Sequence, residues 1–301
     1  MLKTDVFAHV LTPKFYQAFL AESVDLTAYP FLKNPALTDL AVHQAGVRAD
    51  VRQVISMANL NPEDFFDPER AAELCRLGNR ELSAIAAAEP ATYRGAVGML
   101  PMNNVAAAVT ILAEQIATDP NLLGVQLFTT ALGKPLTDPA YRPIFEQLAA
   151  LKLPIWLHPV FDTTKPANNI TFSWEYELTQ TMYAMVTQGF FQTYPQLKVI
   201  VHHAGAMVPY FAGRIEHILS AEQAADFKKF YVDTALLGNT PALRLTLAYY
   251  GIEHVMFGTD APFGSAPNGA TDEIVTAIAA LNLTAADQTK LYQTNFEKLI
   301  S

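Results

Sequence analysis

The stretch His254–Gly264, HVMFGTDAPFG, reads as a buried strand that breaks at Gly258 and presents the carboxylate of Asp260 where it ends. Pro262 bars an immediate helix, because proline cannot continue a hydrogen-bonded turn. A carboxylate at the C-terminal mouth of a strand is where a closed parallel barrel keeps its chemistry. Three further strands end in histidines: DVFAH at His9, PIWLH at His158, and KVIVHH at His202 and His203.

Through the rest of the chain, short β-branched runs alternate with helical patterns. The strands are expected at Thr4–His9, Val51–Met57, Ala96–Leu100, Gly124–Phe128, Pro154–His158, Lys198–His202, Phe230–Asp233 and His254–Phe257. Helices are expected over Pro68–Glu89, Val105–Thr118, Tyr141–Lys152, Glu175–Tyr194, Val208–Ile218, Pro241–Tyr250, Thr271–Leu281 and Ala285–Leu299. Eight strands alternating with helices predict an α/β protein, a (β/α)8 TIM barrel. A doubly wound dinucleotide fold lacks support, since no GxGxxG follows the first strand. Phe161 to Ser173 reads as a long polar loop, of the kind that walls a pocket at the C-terminal face.

The 301 residues are enough for two domains, but barrels of this size are commonly one, and no linker or repeat divides residues 1–301. A hydrophobic content of 51% and a charged content of 16% allow a large core. The net charge of −9 argues against nucleic-acid and anionic-membrane partners, which need a basic footprint. Cys75 is the sole cysteine, so no disulfide framework or thiolate cluster exists within one chain, which fits a cytoplasmic setting. The start MLKTDVFAHVL lacks a signal-peptide layout, and no run approaches the roughly 20 apolar residues that span a bilayer.

Alternation along the first strand places Asp5, Phe7 and His9 on one face, with His9 at the mouth. Of His202 and His203, one is expected inward and the other outward or upward. Imidazoles and a carboxylate from four strand ends suit Zn²⁺ or Mn²⁺, with positions left for water or substrate.

The runs DVFAHVLTP, WLHP, KVIVHHAGAMVPYFAGRI and VMFGTDAPF resemble the amidohydrolase-related group that contains α-amino-β-carboxymuconate-ε-semialdehyde decarboxylase and the resorcylate-type decarboxylases. The resemblance extends to the terminal NFEKLI. It implies a TIM barrel of the metal-dependent hydrolase type with one divalent metal ion, His9, His158 and Asp260 as ligands, and His203 as the active-site histidine. It also implies that Arg214 binds a substrate carboxylate across a homodimer. Two departures stand out. The family begins x-His-x-His or Glu-x-His, whereas Phe7 occupies the first ligand position here. Ala36 and Leu37 stand where the muconate decarboxylase carries a substrate arginine, so its dicarboxylate is not expected as substrate.

These residues predict a metal-dependent carboxy-lyase acting on a small aromatic or unsaturated carboxylic acid. His203 or Asp260 would move the proton, Arg214 would bind the carboxylate, and Phe7, Phe161 and Trp174 would supply an apolar wall. A hydrolase of an ester, lactone or amide on the same barrel is the alternative. A metal-poor binding protein is the second, resting on Phe7 alone. Phe7 also reads as plain barrel filling, and Arg214 as a helix cap. Glu175, at a helix N-terminus, is within reach of the pocket, and Asp233 is positioned to orient a ligand histidine.

Overall fold

A computed structural model describes residues 1–165, 169–265 and 269–301. Seven parallel strands form one sheet: β1 (Lys3–Val10), β2 (Val51–Met57), β3 (Tyr93–Gly98), β4 (Leu122–Phe128), β5 (Ile155–His158), β6 (Val199–Val201) and β7 (Tyr231–Val232). They lie side by side in chain order. That order, with a helical crossover between strands, curls a parallel sheet toward closure. Residues 255–261 close it. Val255 bridges Val232, and Ala261 bridges Ala8. Met256 donates to the Val232 carbonyl (2.9 Å), Val6 to Phe257 (2.9 Å) and His9 to Ala261 (2.7 Å). The protein is therefore a (β/α)8 barrel whose eighth position is a bridged segment. His254, expected to begin a strand, instead ends the tight turn Ile252–His254 and stacks on Tyr231.

The helices start where the sequence caps them. Asp67 accepts from the Arg70 amide ahead of Pro68–Ala88, Asn104 caps Val105–Ile111, and Asn239 caps Thr240–Tyr250. The expected helix over Glu175–Tyr194 divides at Gly189 (φ +71°) into Trp174–Thr187 and Phe190–Thr193. Strand β3 ends at Gly98 because the Met99 amide turns to Asn79 Oδ1 (2.7 Å) instead of the ladder. Pro13–Ala21 and Ala221–Phe227 are helices that periodicity did not mark. The expected loop over Phe161–Ser173 lies partly outside the described residues, and its end is a helical turn over Asn169–Ser173.

One large core fills the space between sheet and helices. A second, inside the barrel floor, joins Val6, Phe7, Val54, Val97, Trp156, Ile200 and Met256 to Phe296 and Leu299. Trp156 is fully buried there and donates its indole N–H to the Val6 carbonyl (2.8 Å). Val6 and Phe7 both belong to this cluster, which simple alternation forbids. The cause is a bulge: three steps from Asp5 to Ala8 on β1 match only two on β2. The expected shared face for Asp5, Phe7 and His9 is therefore broken. Asp5 turns to Thr259, accepting from its hydroxyl (2.6 Å) and its amide (2.9 Å).

Candidate metal centre

Four side chains from four strand positions converge at the mouth of the barrel: His9 from β1, His158 from β5, His202 just past β6, and Asp260 from the closing segment. One potential ligand atom from each lies within 4.8 Å of all the others. Each imidazole is held from behind. His9 Nδ1 meets Ser56 Oγ on β2 (2.9 Å). His158 Nδ1 donates to the Pro159 carbonyl (2.7 Å). His202 Nδ1 donates to the buried carboxylate of Asp233. With Nδ1 of His158 and His202 committed as donors, the lone pairs of their Nε2 atoms face the centre.

These residues fit a divalent cation on one structural ground. Nε2 of His9 and of His202 are buried without a hydrogen-bond partner. Each lies near Asp260 Oδ1, at 3.2 and 3.3 Å. Buried polar atoms are normally satisfied, and orphans that share one centre need a common partner. Three nitrogens and a carboxylate oxygen form a donor set suited to Zn²⁺ or Mn²⁺.

Electrostatics support that charge pattern. Burial drives His158 well below the usual imidazole range, reinforced by neighbouring His9 and His202, and burial also lowers His9. Both are therefore neutral. Burial opposes charge on Asp260, yet His202, His203 and His9 hold its carboxyl well below the usual carboxylate range. Burial likewise opposes the His202 imidazolium, but Asp233 and Asp260 raise it. A cation held there would compete with a proton for His202 Nε2.

His203 stands beside this group. Its Nδ1 forms an ion pair with Glu175 Oε1 (2.7 Å), and its Nε2 lies 3.9 Å from Asp260 Oδ2. Burial disfavours its charge, but Glu175 and Asp260 raise it well above the usual range. The expectation that one of His202 and His203 faces away is corrected. Both rings turn toward the site because the backbone enters the left-handed region at His203 (φ +53°), continues through Ala204 and Gly205, and stays positive at Ala206. Asp260 is also left-handed (φ +63°), held by its amide to the Phe7 carbonyl (2.9 Å). Such backbone in non-glycine residues costs about 1–3 kcal/mol each and collects at functional sites.

Aromatic rings stand above the donors. Phe161 packs against Tyr29 (5.4 Å between centroids) and Phe31 (5.3 Å). Phe263 lies 5.9 Å from His9, and Trp174 lies 5.9 Å from His158 and stacks near His203. Phe7 is not on this wall. It is 1% exposed and stacks beneath His202 at 4.1 Å, which makes it floor. Arg214 is not brought to the centre either. It sits exposed on Ala212–Ile218, beside an outer groove lined by Tyr176, Phe211, Ile215 and Ile218. Residues that the sequence did not single out are His202 as an inward donor, Ser56, Phe31 and Phe263. The paired histidine before Ala-Gly-Ala was the available signal for the first.

A family model described as amidohydrolase matches residues 37–300, which leaves β1 with Phe7 and His9 ahead of the match. The 6-methylsalicylic acid decarboxylase of Penicillium expansum is 28% identical over 288 residues, covering 90% of this chain and 87% of that one. The 5-carboxyvanillate decarboxylase structure from Sphingomonas paucimobilis superposes with a TM-score of 0.83 at 18% identity, covering 99% of this chain and 98% of that one. A dihydroxybenzoic acid decarboxylase from Polaromonas, solved with bound manganese and 2-nitroresorcinol, gives 0.80 at 22% identity, over 99% and 96%. At these identities the two structures establish the barrel.

Proposed function

The chain belongs to the amidohydrolase family, and from that premise we propose a metal-dependent, non-oxidative decarboxylase acting on a small hydroxylated aromatic acid. The observation that carries this reading is the convergence of buried, partnerless imidazole nitrogens on Asp260 beneath an aromatic rim. The 6-methylsalicylic acid decarboxylase similarity supplies the substrate class. His9, His158 and Asp260 are the proposed ligands of a Zn²⁺ or Mn²⁺ ion, manganese being the ion in the Polaromonas structure. When bound, such an ion would supply Lewis acidity toward the substrate's carboxylate.

The chain's own residues do the rest. Phe161, Phe31 and Trp174 take the ring by stacking and exclude water. The His203 imidazolium, held by Glu175, delivers a proton to the ring carbon bearing the carboxylate. The new C–H bond takes its pair from the ring π electrons; the C–C bond then breaks, CO₂ leaves, and its bonding pair returns to the ring to restore aromaticity. Asp260 Oδ2, 3.9 Å from His203 Nε2, stabilises the charge on that imidazolium before transfer.

Residues 1–301 form one domain in this reading, in a cytoplasmic enzyme. Among the described residues, no helix is long and apolar enough to cross a membrane. The exposed groove beside Arg214, with its uncovered Phe211 and Ile218, is the proposed homodimer face, from which Arg214 reaches a partner's substrate.

The test is elemental analysis of protein purified without chelator, followed by assay of CO₂ release from 6-methylsalicylate and 2,6-dihydroxybenzoate. About one ion per chain with CO₂ release supports the reading. Water added to an ester or lactone without CO₂ release would transfer it to the hydrolase class, and a protein that takes no ion would end both.

A further inference from the structure

We infer that His202 is itself a metal ligand of this chain, delivered from β6 to fill the coordination position that β1 leaves without a donor at Phe7. The inference rests on the metal-site reading above and adds to it a residue that the resemblance did not place in the ligand set.

The geometry makes the case in three steps. First, His202 has the form of a ligand. It is fully buried, its Nδ1 is bound by the Asp233 carboxylate, and its Nε2 is buried with no hydrogen-bond partner, 3.3 Å from Asp260 Oδ1. A ligating histidine whose other ring nitrogen donates to a carboxylate is the usual arrangement at metal sites. Second, the Asp233 carboxylate is itself fixed, accepting from the amides of Ala204 (2.8 Å) and Ala235 (3.0 Å). The His202 ring is therefore pinned in tautomer and direction before any ion arrives. Third, Phe7 occupies the space beneath. Its ring stacks on His202 at 4.1 Å and 19°, and lies 6.3 Å from His9 and 6.4 Å from His158. A phenyl ring has no lone pair to offer, but it fills the floor and supports the imidazole that does. Donor and filler have changed strands: β6 carries the nitrogen and β1 carries the packing.

The assignment is tested on the metal-loaded protein with X-ray absorption, which counts imidazole donors directly. Three imidazoles per ion in the unaltered chain are expected, falling to two in His202→Ala, with Zn²⁺ affinity reduced by more than about 100-fold, beyond the range of losing an outer partner. Adding Phe7→His to His202→Ala should bring back the third imidazole and part of the affinity, because the donor returns from the other strand. Two imidazoles in the unaltered chain would overturn the assignment while leaving the metal site intact, and that measurement needs no variant to fold. Equal Zn²⁺ affinity in His202→Ala would overturn it likewise. If the unaltered chain takes up no Zn²⁺ or Mn²⁺, the metal reading itself fails, and this assignment with it.

Discussion

Replacing Asp233 by Asn changes one atom in a fully buried position, and only two arrangements of the new side chain are open to it. Asp233 Oδ1 accepts from two amides, Ala204 at 2.8 Å and Ala235 at 3.0 Å, while Oδ2 accepts from His202 Nδ1. If the Asn oxygen keeps the two amides, its NH₂ faces Nδ1. The imidazole must then accept there, and its proton moves to Nε2, which removes the lone pair that faces the centre. If the amide flips, the imidazole is satisfied, but both buried backbone N–H groups are orphaned at about 1–3 kcal/mol each. The first arrangement lowers metal affinity by about 10–100-fold, or about 1.4–2.7 kcal/mol. The second lowers the stability of the ion-free protein instead. Zn²⁺ titration against a chelator of known strength, beside thermal unfolding of ion-free protein, distinguishes the two. Affinity within twofold of the unaltered chain together with an unchanged Tm would contradict both, because neither arrangement would carry its cost.

Asp260→Ala should lower CO₂ release by about 10²–10⁴-fold with circular dichroism unchanged; more than a tenth of the rate remaining would remove the residue from the mechanism. Glu175→Gln should lower kcat by about 10-fold or more at constant KM, since it leaves the rim untouched and weakens the ion pair of His203; a change in KM alone would make Glu175 a binding residue. Phe161→Ala should raise KM for an aromatic acid by about 5-fold or more with little change in metal content, checked by steady-state kinetics and elemental analysis. Glu63, 6% exposed, is pushed up to about 8 by burial, so between pH 4.5 and 8 the unfolded chain releases a proton that the folded chain keeps. Stability therefore falls as pH rises through that window, by up to about 1.4 kcal/mol per unit, and urea melts of Glu63→Gln should show a flatter profile and higher stability at pH 8. An identical pH profile in the variant would place the charge penalty elsewhere.

The barrel was legible because its two periods are loud. Apolar runs such as PIWLH and KVIVHH are too short for helices, and capped amphipathic stretches separate them. His9, His158 and Asp260 came from the rule that chemistry gathers at strand ends. What stayed hidden depended on breaks in alternation. The bulge between Asp5 and Ala8 has no glycine or proline to announce it, and it turns Asp5 toward Thr259. The left-handed turn at His203 is held by Asp233, which accepts from the Ala204 amide, and by Tyr250, which crowds Gly205, both distant in sequence. Phe31 and Phe263 reach the rim only once the closing segment docks on β1, a contact between opposite ends of the chain.

That docking gives the barrel's seam a second character. The join between residues 255–261 and β1 is short, built from a bridge and a few backbone bonds rather than a full ladder. It would be the natural place for the cylinder to gape. The four inward donors straddle it: His9 on one lip, Asp260 on the other, and His158 and His202 on strands further round the wall. On the proposed metal site, an ion held from both lips would act as a clasp, and the cylinder could not open along this join without first surrendering it. Closure and metal binding would then be one event, and a chelator is expected to lower the unfolding temperature of the metal-loaded chain as well as its rate.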